Sequence, residues 1–195
     1  MQCLFGMVLF LNSLLARSKT NRGAEPLAII ACCTALLAGA KWAIPFPNVE
    51  IITALLVIFA IYLKWWESLS ICLIWILVEM AIWGIGPWVL LYFIHWPLLV
   101  ILSILVAKIK WWLTIPLAIF LTAFFAPLSV TIDILLTGGI ASGRFWEFWI
   151  ARWISGIWFF LTHIIANAIL VPIVVIGLRK PMQHLIVNQS RNEKS

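Results

Sequence analysis

The chain has 195 residues, of which 65% are hydrophobic and only 10% charged, and its formal net charge is +6. A soluble domain carries roughly 45–50% apolar and about 25% charged residues, so this composition excludes an ordinary water-soluble protein. The basic residues stand singly or in pairs between apolar runs, which argues against a nucleic-acid-binding surface. We therefore predict an integral membrane protein.

Apolar runs separated by charged residues, prolines and glycines divide the chain. A membrane-spanning helix needs about 20 predominantly apolar residues. By this measure the sequence predicts an all-α integral membrane protein, a bundle of six transmembrane helices plus a short apolar N-terminal segment. The six predicted spans are Pro26–Phe46, Val49–Leu63, Leu69–Trp83, Trp88–Ala107, Trp111–Thr137 and Trp149–Leu178.

This pattern predicts three parts. Residues 1–25 hold an apolar segment and a basic loop, residues 26–180 form the six-helix membrane domain, and residues 181–195 form a polar cytoplasmic tail. The apolar segment Met1–Leu15 precedes its positive charges, which is the reverse of the order in a signal peptide. Because it is also short for a span, we expect a helix on or partly in the membrane.

The basic residues predict the orientation of the bundle. If the loop before the first span is cytoplasmic, ten of the thirteen lysines and arginines lie inside, and only Lys41, Arg144 and Arg152 lie outside. Cytoplasmic loops of membrane proteins carry such an excess of basic residues. We therefore expect a multi-pass protein in which both ends of the six-helix unit are cytoplasmic.

The sequence contains no catalytic or metal-binding motif that we recognise. The phosphate-binding pattern GxxxxGK[ST] and the zinc pattern HExxH are both missing, so we predict no ATPase activity, no metal site and no catalytic residue. The four cysteines lie in apolar runs and form no CxxC pair. The chain is therefore expected to bind rather than to catalyse.

Polar residues inside the predicted spans are the first candidates for a binding site. A charge at bilayer depth costs about 2.5–3.5 kcal/mol, so Glu79 and Asp133 need a partner or water, and Arg144 and Arg152 lie on the same predicted side. His163 and Asn167 are four residues apart and share one helix face. Each set permits two readings, a structural bond between helices or a contact with a ligand.

Aromatic residues gather near the predicted outer loops. Tryptophan prefers the membrane interface, which explains some of them as an anchoring belt. A solute pocket also needs apolar and aromatic walls with a few orienting polar groups. The candidate substrate-binding residues in the outer half are Glu79, Trp83, Trp88, Trp149, Arg152, Trp153, Gly156, His163 and Asn167.

The first span carries small residues at four-residue spacing, Ala31, Ala35 and Gly39, which let another helix approach closely. It leads into the passage Ile44–Leu55, which reads Ile-Pro-Phe-Pro-Asn-Val-Glu-Ile-Ile-Thr-Ala-Leu. With the passages Glu79–Pro97 and Trp153–Ile157 and the plan of six helices, the chain resembles the S components of energy-coupling factor (ECF) transporters, over roughly residues 26–180.

The resemblance implies a function. An S component captures a small water-soluble, vitamin-like nutrient at the outer face of the bacterial cytoplasmic membrane. It docks through its first helix, here Ala31, Ala35 and Gly39, on a T subunit that works with two ATPase subunits. These partners hydrolyse the ATP, so no cofactor is expected in this chain.

Two other classes of protein are also considered. Phe159 with His163, and His163 with Asn167, resemble motifs of CAAX-protease-like membrane peptidases, but the paired glutamates of that family are missing. A self-sufficient secondary transporter would show internal repeats and broken helices near the midplane, and we find no convincing repeat. Proteolysis by the purified chain would favour the first class, and ion-driven transport by the chain alone would favour the second.

Overall fold

A computed structural model describes residues 24–43, 49, 51–137 and 143–192, and for residues 24, 25, 43 and 184–192 only the backbone. The predicted segment Met1–Leu15, most of the passage before Ile51 and the glycine-rich loop at 138–142 lie outside the described residues. The helices are α1 (Ala24–Ala43), α2 (Ile52–Tyr62), α3 (Trp65–Trp83), α4 (Pro87–Ala107), α5 (Thr114–Leu136), α6 (Phe145–Ser155) and α7 (Ile157–Asn192).

The all-α prediction is confirmed for the described residues, which contain no strand. Four stretches are long and apolar enough to cross a membrane, so the structure supports a multi-pass membrane protein but not the count of six spans. These stretches are Trp65–Trp83, Pro87–Ala107, Trp111–Leu136 and Ile157–Gln183. The third begins with a single 3-10 turn at Trp111–Leu113 before α5.

Helix α2 lies at the centre of the bundle. Every residue from Ile52 to Ala60 is buried, because α2 packs against α7 and α4 and also touches α1, α3 and α5. A helix that is apolar on all sides is stable only in such a surrounded position or in lipid. The sequence of α2 is apolar on every side of the helix, and the other helices cover it, so α2 forms the core of the bundle.

The second predicted span, Val49–Leu63, is wrong in length. Helix α2 has 11 residues, which at a rise of 1.5 Å corresponds to about 16 Å, roughly half of the 30 Å hydrocarbon thickness. The first predicted span corresponds to α1, whose apolar stretch is Pro26–Trp42, and its predicted end at Phe46 lies outside the described residues. A hydrophobic segment is expected to be shielded from water, and α2 is shielded by other helices instead of by lipid.

The two ends of the bundle differ in chemistry. At one end, which we call the basic end, the Arg179 guanidinium lies 4.3 Å from the centroid of the Trp111 ring, close to Lys108 and Lys110 in sequence. The Ser68 hydroxyl donates to the Phe59 carbonyl at 2.9 Å and ties the start of α3 to the end of α2. At the opposite end, Trp42 stacks on Trp83. Helices α1 and α3 therefore run parallel, joined through α2.

The sixth predicted span, Trp149–Leu178, is wrong as one helix. The chain forms α6 and α7 with a break at Gly156, and Trp149, Arg152 and Trp153 belong to α6. Backbone bonds still bridge the break, from Gly156 N–H to the Arg152 carbonyl and from Phe160 N–H to the Gly156 carbonyl. The apolar part of α7, Ile157–Gln183, covers about 40 Å by itself, so α6 is not needed for crossing the membrane. Helix α7 continues to Asn192, into the region predicted as a polar tail.

Candidate functional site

Polar side chains from two helices, α4 and α7, are buried inside the bundle next to the aromatic ring of Phe125 on α5. His95 of α4 lies with its ring centroid 4.9 Å from Phe125, and His163 of α7 lies 5.1 Å from the same ring, both edge to face. Asn167 lies one turn further along α7 and is fully buried. We call His95, Phe125, His163 and Asn167 the polar centre.

Aromatic residues of α3 and α4 surround one side of the polar centre. Trp75 stacks on Tyr92 at 5.8 Å and meets Trp96 edge to face at 5.6 Å, and Trp96 contacts His95 at 5.0 Å. Trp88 joins this group through Tyr92 at 5.1 Å. Such offset and edge-to-face pairs are favourable by about 0.5–1.5 kcal/mol each beyond the area they bury. The wall next to the polar centre is therefore aromatic and densely packed.

Glu79 lies at the same aromatic wall, on the side away from the basic end of the bundle. It follows Trp75 by four residues on α3 and shares its buried face, with 3% of its surface exposed. The sequence argument that this carboxyl requires a partner holds, since Glu79 takes part in an interaction within the fold. Burial of Glu79 on the face that carries Trp75 is consistent with its predicted place in a site.

The hydrogen bonds of the polar centre are incomplete within the described part of the chain. The Asn167 Nδ2 group donates to the His163 carbonyl at 3.0 Å, which leaves the Asn167 Oδ1 atom without a hydrogen-bond partner. The same holds for His95 Nδ1 and for the indole nitrogens of Trp75 and Trp96. More than nine in ten buried polar groups in native proteins are paired, with protein groups or with water, so these atoms are candidates for binding water or a polar solute.

A second group of predicted site residues lies on α6 and packs against α5 and α7. The Arg152 guanidinium pairs with the Asp133 carboxylate of α5, and the Trp149 indole donates to the Thr131 hydroxyl at 3.2 Å. Trp149 stacks on Trp153 at 5.9 Å, and Trp153 stacks on Phe160 of α7 at 5.0 Å. Of the two readings that the sequence left open for Asp133, the ion pair is present in the structure, and its partner is Arg152.

Gly156 has a packing role in this second group. A Cβ atom at this position would lie 2.7 Å from Cε2 of Phe160, so any side chain would displace that ring. Gly156 is one of the predicted substrate-binding residues, but in the structure the Phe160 ring occupies the space beside it. The glycine therefore permits the stack of Trp153 on Phe160.

The structure thus separates the predicted site residues into groups. Glu79 and Trp88 border the aromatic wall, and His163 and Asn167 belong to the polar centre. Trp149, Arg152, Trp153 and Gly156 lie where α6 meets α5 and α7, and α6 makes no extensive contact with α3 or α4 among the described residues. Trp83 is exposed and stacks on Trp42 at 5.8 Å.

Five residues of the polar centre and its wall were missed from the sequence: His95, Phe125, Trp75, Tyr92 and Trp96. A signal for them exists, because Trp88, Tyr92 and Trp96 recur every four residues and so share one face of α4. Trp75 has the same spacing to Glu79 on α3. The inference failed because a tryptophan in a span also reads as a membrane anchor, and only the packing distinguishes the two.

The docking residues predicted on the first span lie on α1, on the side that faces away from the bundle. Ile30, Cys33 and Leu37 are buried against the other helices, whereas Ala31, Ala35 and Gly39 are all exposed. A Cβ atom added at Gly39 would meet nothing within 4 Å. The small-residue face is therefore open along three successive turns of α1.

The ion pair between α5 and α6 leads to a first prediction. Arg152→Gln should lower the free energy of unfolding by about 1 kcal/mol. This is the upper end of the range for exposed ion pairs, and we expect it because the Asp133–Arg152 pair connects two helices. Thermal unfolding of the purified chain, followed by circular dichroism in one detergent, measures the change.

The matched control for this prediction is Arg144→Gln. Arg144 pairs with Glu147 three residues later on α6 itself, both side chains being over 60% exposed, so its loss should cost less than about 0.5 kcal/mol. Equal effects of the two substitutions would show that the Asp133–Arg152 pair does not hold α6 to α5.

No three histidine, cysteine, aspartate or glutamate side chains of the described residues are grouped so that they could hold a metal ion. Comparison of the chain with protein-family models, with curated proteins and with solved structures returned no match. Function is therefore inferred from the residues of this chain.

Proposed function

We propose that this chain is the substrate-binding S component of an ECF-type importer. It captures a small water-soluble, vitamin-like nutrient at the outer face of a bacterial cytoplasmic membrane. It passes the nutrient to the cytoplasm together with a T subunit and two ATPase subunits. The observation that carries the proposal is the open small-residue face of α1, Ala31, Ala35 and Gly39, on the outside of a bundle whose interior holds a polar centre.

The open face of α1 fits docking on a partner helix. Between membrane helices the lipid is as apolar as the protein, so association depends on close packing, and small residues allow the closest backbone approach. Large apolar side chains flank the face at its two ends, since Leu27 and Trp42 are both over 60% exposed. A partner helix would therefore meet a shallow groove of small residues between two larger ones.

The distribution of charge supports the orientation in this proposal. Lys64, Lys108 and Lys110 lie next to the helix ends that meet at the basic end, and Arg179 and Lys180 lie on α7 at the same end, where Arg179 contacts Trp111. Assigning the basic end to the cytoplasm follows the positive-inside rule. The α6 helix and the Trp42–Trp83 pair then face the outside, on the same side as Glu79, which suits capture of a solute from outside.

The second prediction tests docking. Ala35→Leu adds bulk to an exposed position, so the chain should fold normally and keep its solute affinity, while association with the T subunit falls and uptake into cells is abolished. Co-purification with tagged T subunit and uptake by cells expressing all subunits measure the two effects.

Ala81→Leu serves as the matched control, because Ala81 is also exposed but lies on α3. It should leave both assembly and uptake unchanged. If Ala35→Leu assembles and transports like the control, the α1 face is ordinary lipid-facing surface. If the chain alone in liposomes transports under an ion gradient, it is a secondary transporter and the S-component proposal fails.

A further inference from the structure

Four buried polar atoms around the polar centre have no hydrogen-bond partner in the described part of the chain: His95 Nδ1, Asn167 Oδ1, and the Nε1 atoms of Trp75 and Trp96. Each of the four residues has at most 2% of its surface exposed. Trp75, Trp96 and His95 form one group of touching rings, and Asn167 is linked to that group through His163, whose carbonyl it bonds. Trp96 contacts both Trp75 and His95, and His95 and His163 flank the Phe125 ring.

The four atoms differ in hydrogen-bonding type, which restricts what they bind. An indole nitrogen can only donate, an amide oxygen can only accept, and an imidazole nitrogen can do either. A molecule that pairs with all four must therefore offer at least two acceptor atoms and at least one donor. A purely apolar molecule would leave every one of them unpaired.

The charges near the polar centre restrict the molecule further. The sequence has no lysine or arginine from residue 65 to 107, from 111 to 143, or from 153 to 178, which covers α3, α4 and α5, and α7 up to Leu178. The polar centre itself holds His95 and His163, Glu79 is buried on α3, Arg152 is paired with Asp133, and Lys41 lies in the last turn of α1. A negatively charged guest would thus enter an apolar interior with no arginine or lysine to offset its charge, which is unfavourable.

We propose that the polar centre binds an uncharged or cationic small solute that has several hydrogen-bond acceptors, and that it excludes anions. The inference rests on the proposed function in that it assigns the class of nutrient, and it makes His95, Trp75 and Trp96 binding residues besides His163 and Asn167. The donor-only indoles select acceptor atoms, and the lack of basic side chains selects against net negative charge.

The experiment uses charged thiol reagents as probes. His95→Cys is made in the full chain after Cys3, Cys32, Cys33 and Cys72 are changed to alanine, and the protein is studied in lipid nanodiscs. Its modification rate is measured by mass spectrometry with cationic 2-(trimethylammonio)ethyl methanethiosulfonate and with the anionic 2-sulfonatoethyl analogue. Ser155→Cys, exposed on α6, gives the intrinsic ratio of the two reagents.

We expect the cation-to-anion rate ratio at His95→Cys to exceed that at Ser155→Cys by at least tenfold. Leu99→Cys, one turn further along α4 on the same face and fully buried, should react at least tenfold more slowly than His95→Cys. Asn167→Cys is a second reporter with the same expectation, in case His95→Cys does not fold.

Two results would overturn the proposal. If the folded reporters react no faster than Leu99→Cys, the polar centre admits no solute. If the rate ratio equals or falls below that at Ser155→Cys, the centre does not select against anions. Neither result depends on the T subunit, so a failure of docking with Ala35→Leu and a failure of this site are separate outcomes.

Discussion

Leu56→Ala is expected to destabilise the chain by about 2–3 kcal/mol. Leu56 lies in the middle of α2 with no exposed surface, and α2 is buried on all sides. In soluble cores this substitution costs about 2–5 kcal/mol, the sum of a transfer term and a cavity term. Lipid is as apolar as leucine, so in this bundle only the lost contacts and the cavity count, which places the value near the lower end.

Unfolding of the purified chain by increasing mole fractions of sodium dodecyl sulfate measures this cost. Leu77→Ala is the matched control, because Leu77 lies on α3 with 53% of its surface exposed, and its loss should change stability by less than about 0.5 kcal/mol. A Leu56→Ala variant as stable as the control would mean that α2 is not surrounded by the other helices.

Asn167→Ala is expected to weaken solute binding by ten- to hundredfold. The substitution removes the only buried amide of the polar centre, whose Oδ1 atom is free to accept while Nδ2 holds the His163 carbonyl. Leaving a buried donor of the solute unpaired costs about 1–3 kcal/mol, which corresponds to this loss of affinity. The solute is first identified by mass spectrometry of small molecules released from the purified chain, and binding is then followed by tryptophan fluorescence.

Thr162→Ala provides the control on the same helix. Thr162 is exposed, and its hydroxyl donates to the Trp158 carbonyl at 2.8 Å without facing the polar centre. The Thr162→Ala variant should bind the solute with the same affinity as the unchanged chain. A folded Asn167→Ala variant with the affinity of the control would remove α7 from the binding site, and the buried amide would then serve only to pack α7.

The Trp153→Ala variant tests whether the predicted site residues on α6 take part in solute binding. Trp153 lies in the stack between Trp149 and Phe160, away from the aromatic wall of α3 and α4. Because the polar centre is built without α6, we expect the affinity to stay within about threefold of the unchanged chain, a difference below 1 kcal/mol.

Much of the fold could be predicted from composition and charge, because each residue reports its own preference for lipid or water. Glu79 and Asp133 were recognised as needing partners, and the Asp133–Arg152 pair is present. The site was only partly predictable. His163 and Asn167 share a face by spacing alone, whereas their neighbour His95 comes from another helix, 68 residues earlier in the chain.

The sequence by itself predicted apolar helices able to cross a membrane, because each apolar run of about 20 residues can satisfy its backbone polar groups within one helix when lipid replaces water. It also placed Ala31, Ala35 and Gly39 on one face of a helix. Spacing alone does not show whether other helices cover that face. Tertiary structure decided that α1 leaves this face exposed, that α2 is a short buried core instead of a span, and that α6 separates from α7 at Gly156. The physical reason is the same in each case: hydropathy cannot distinguish an apolar surface covered by lipid from one covered by another helix.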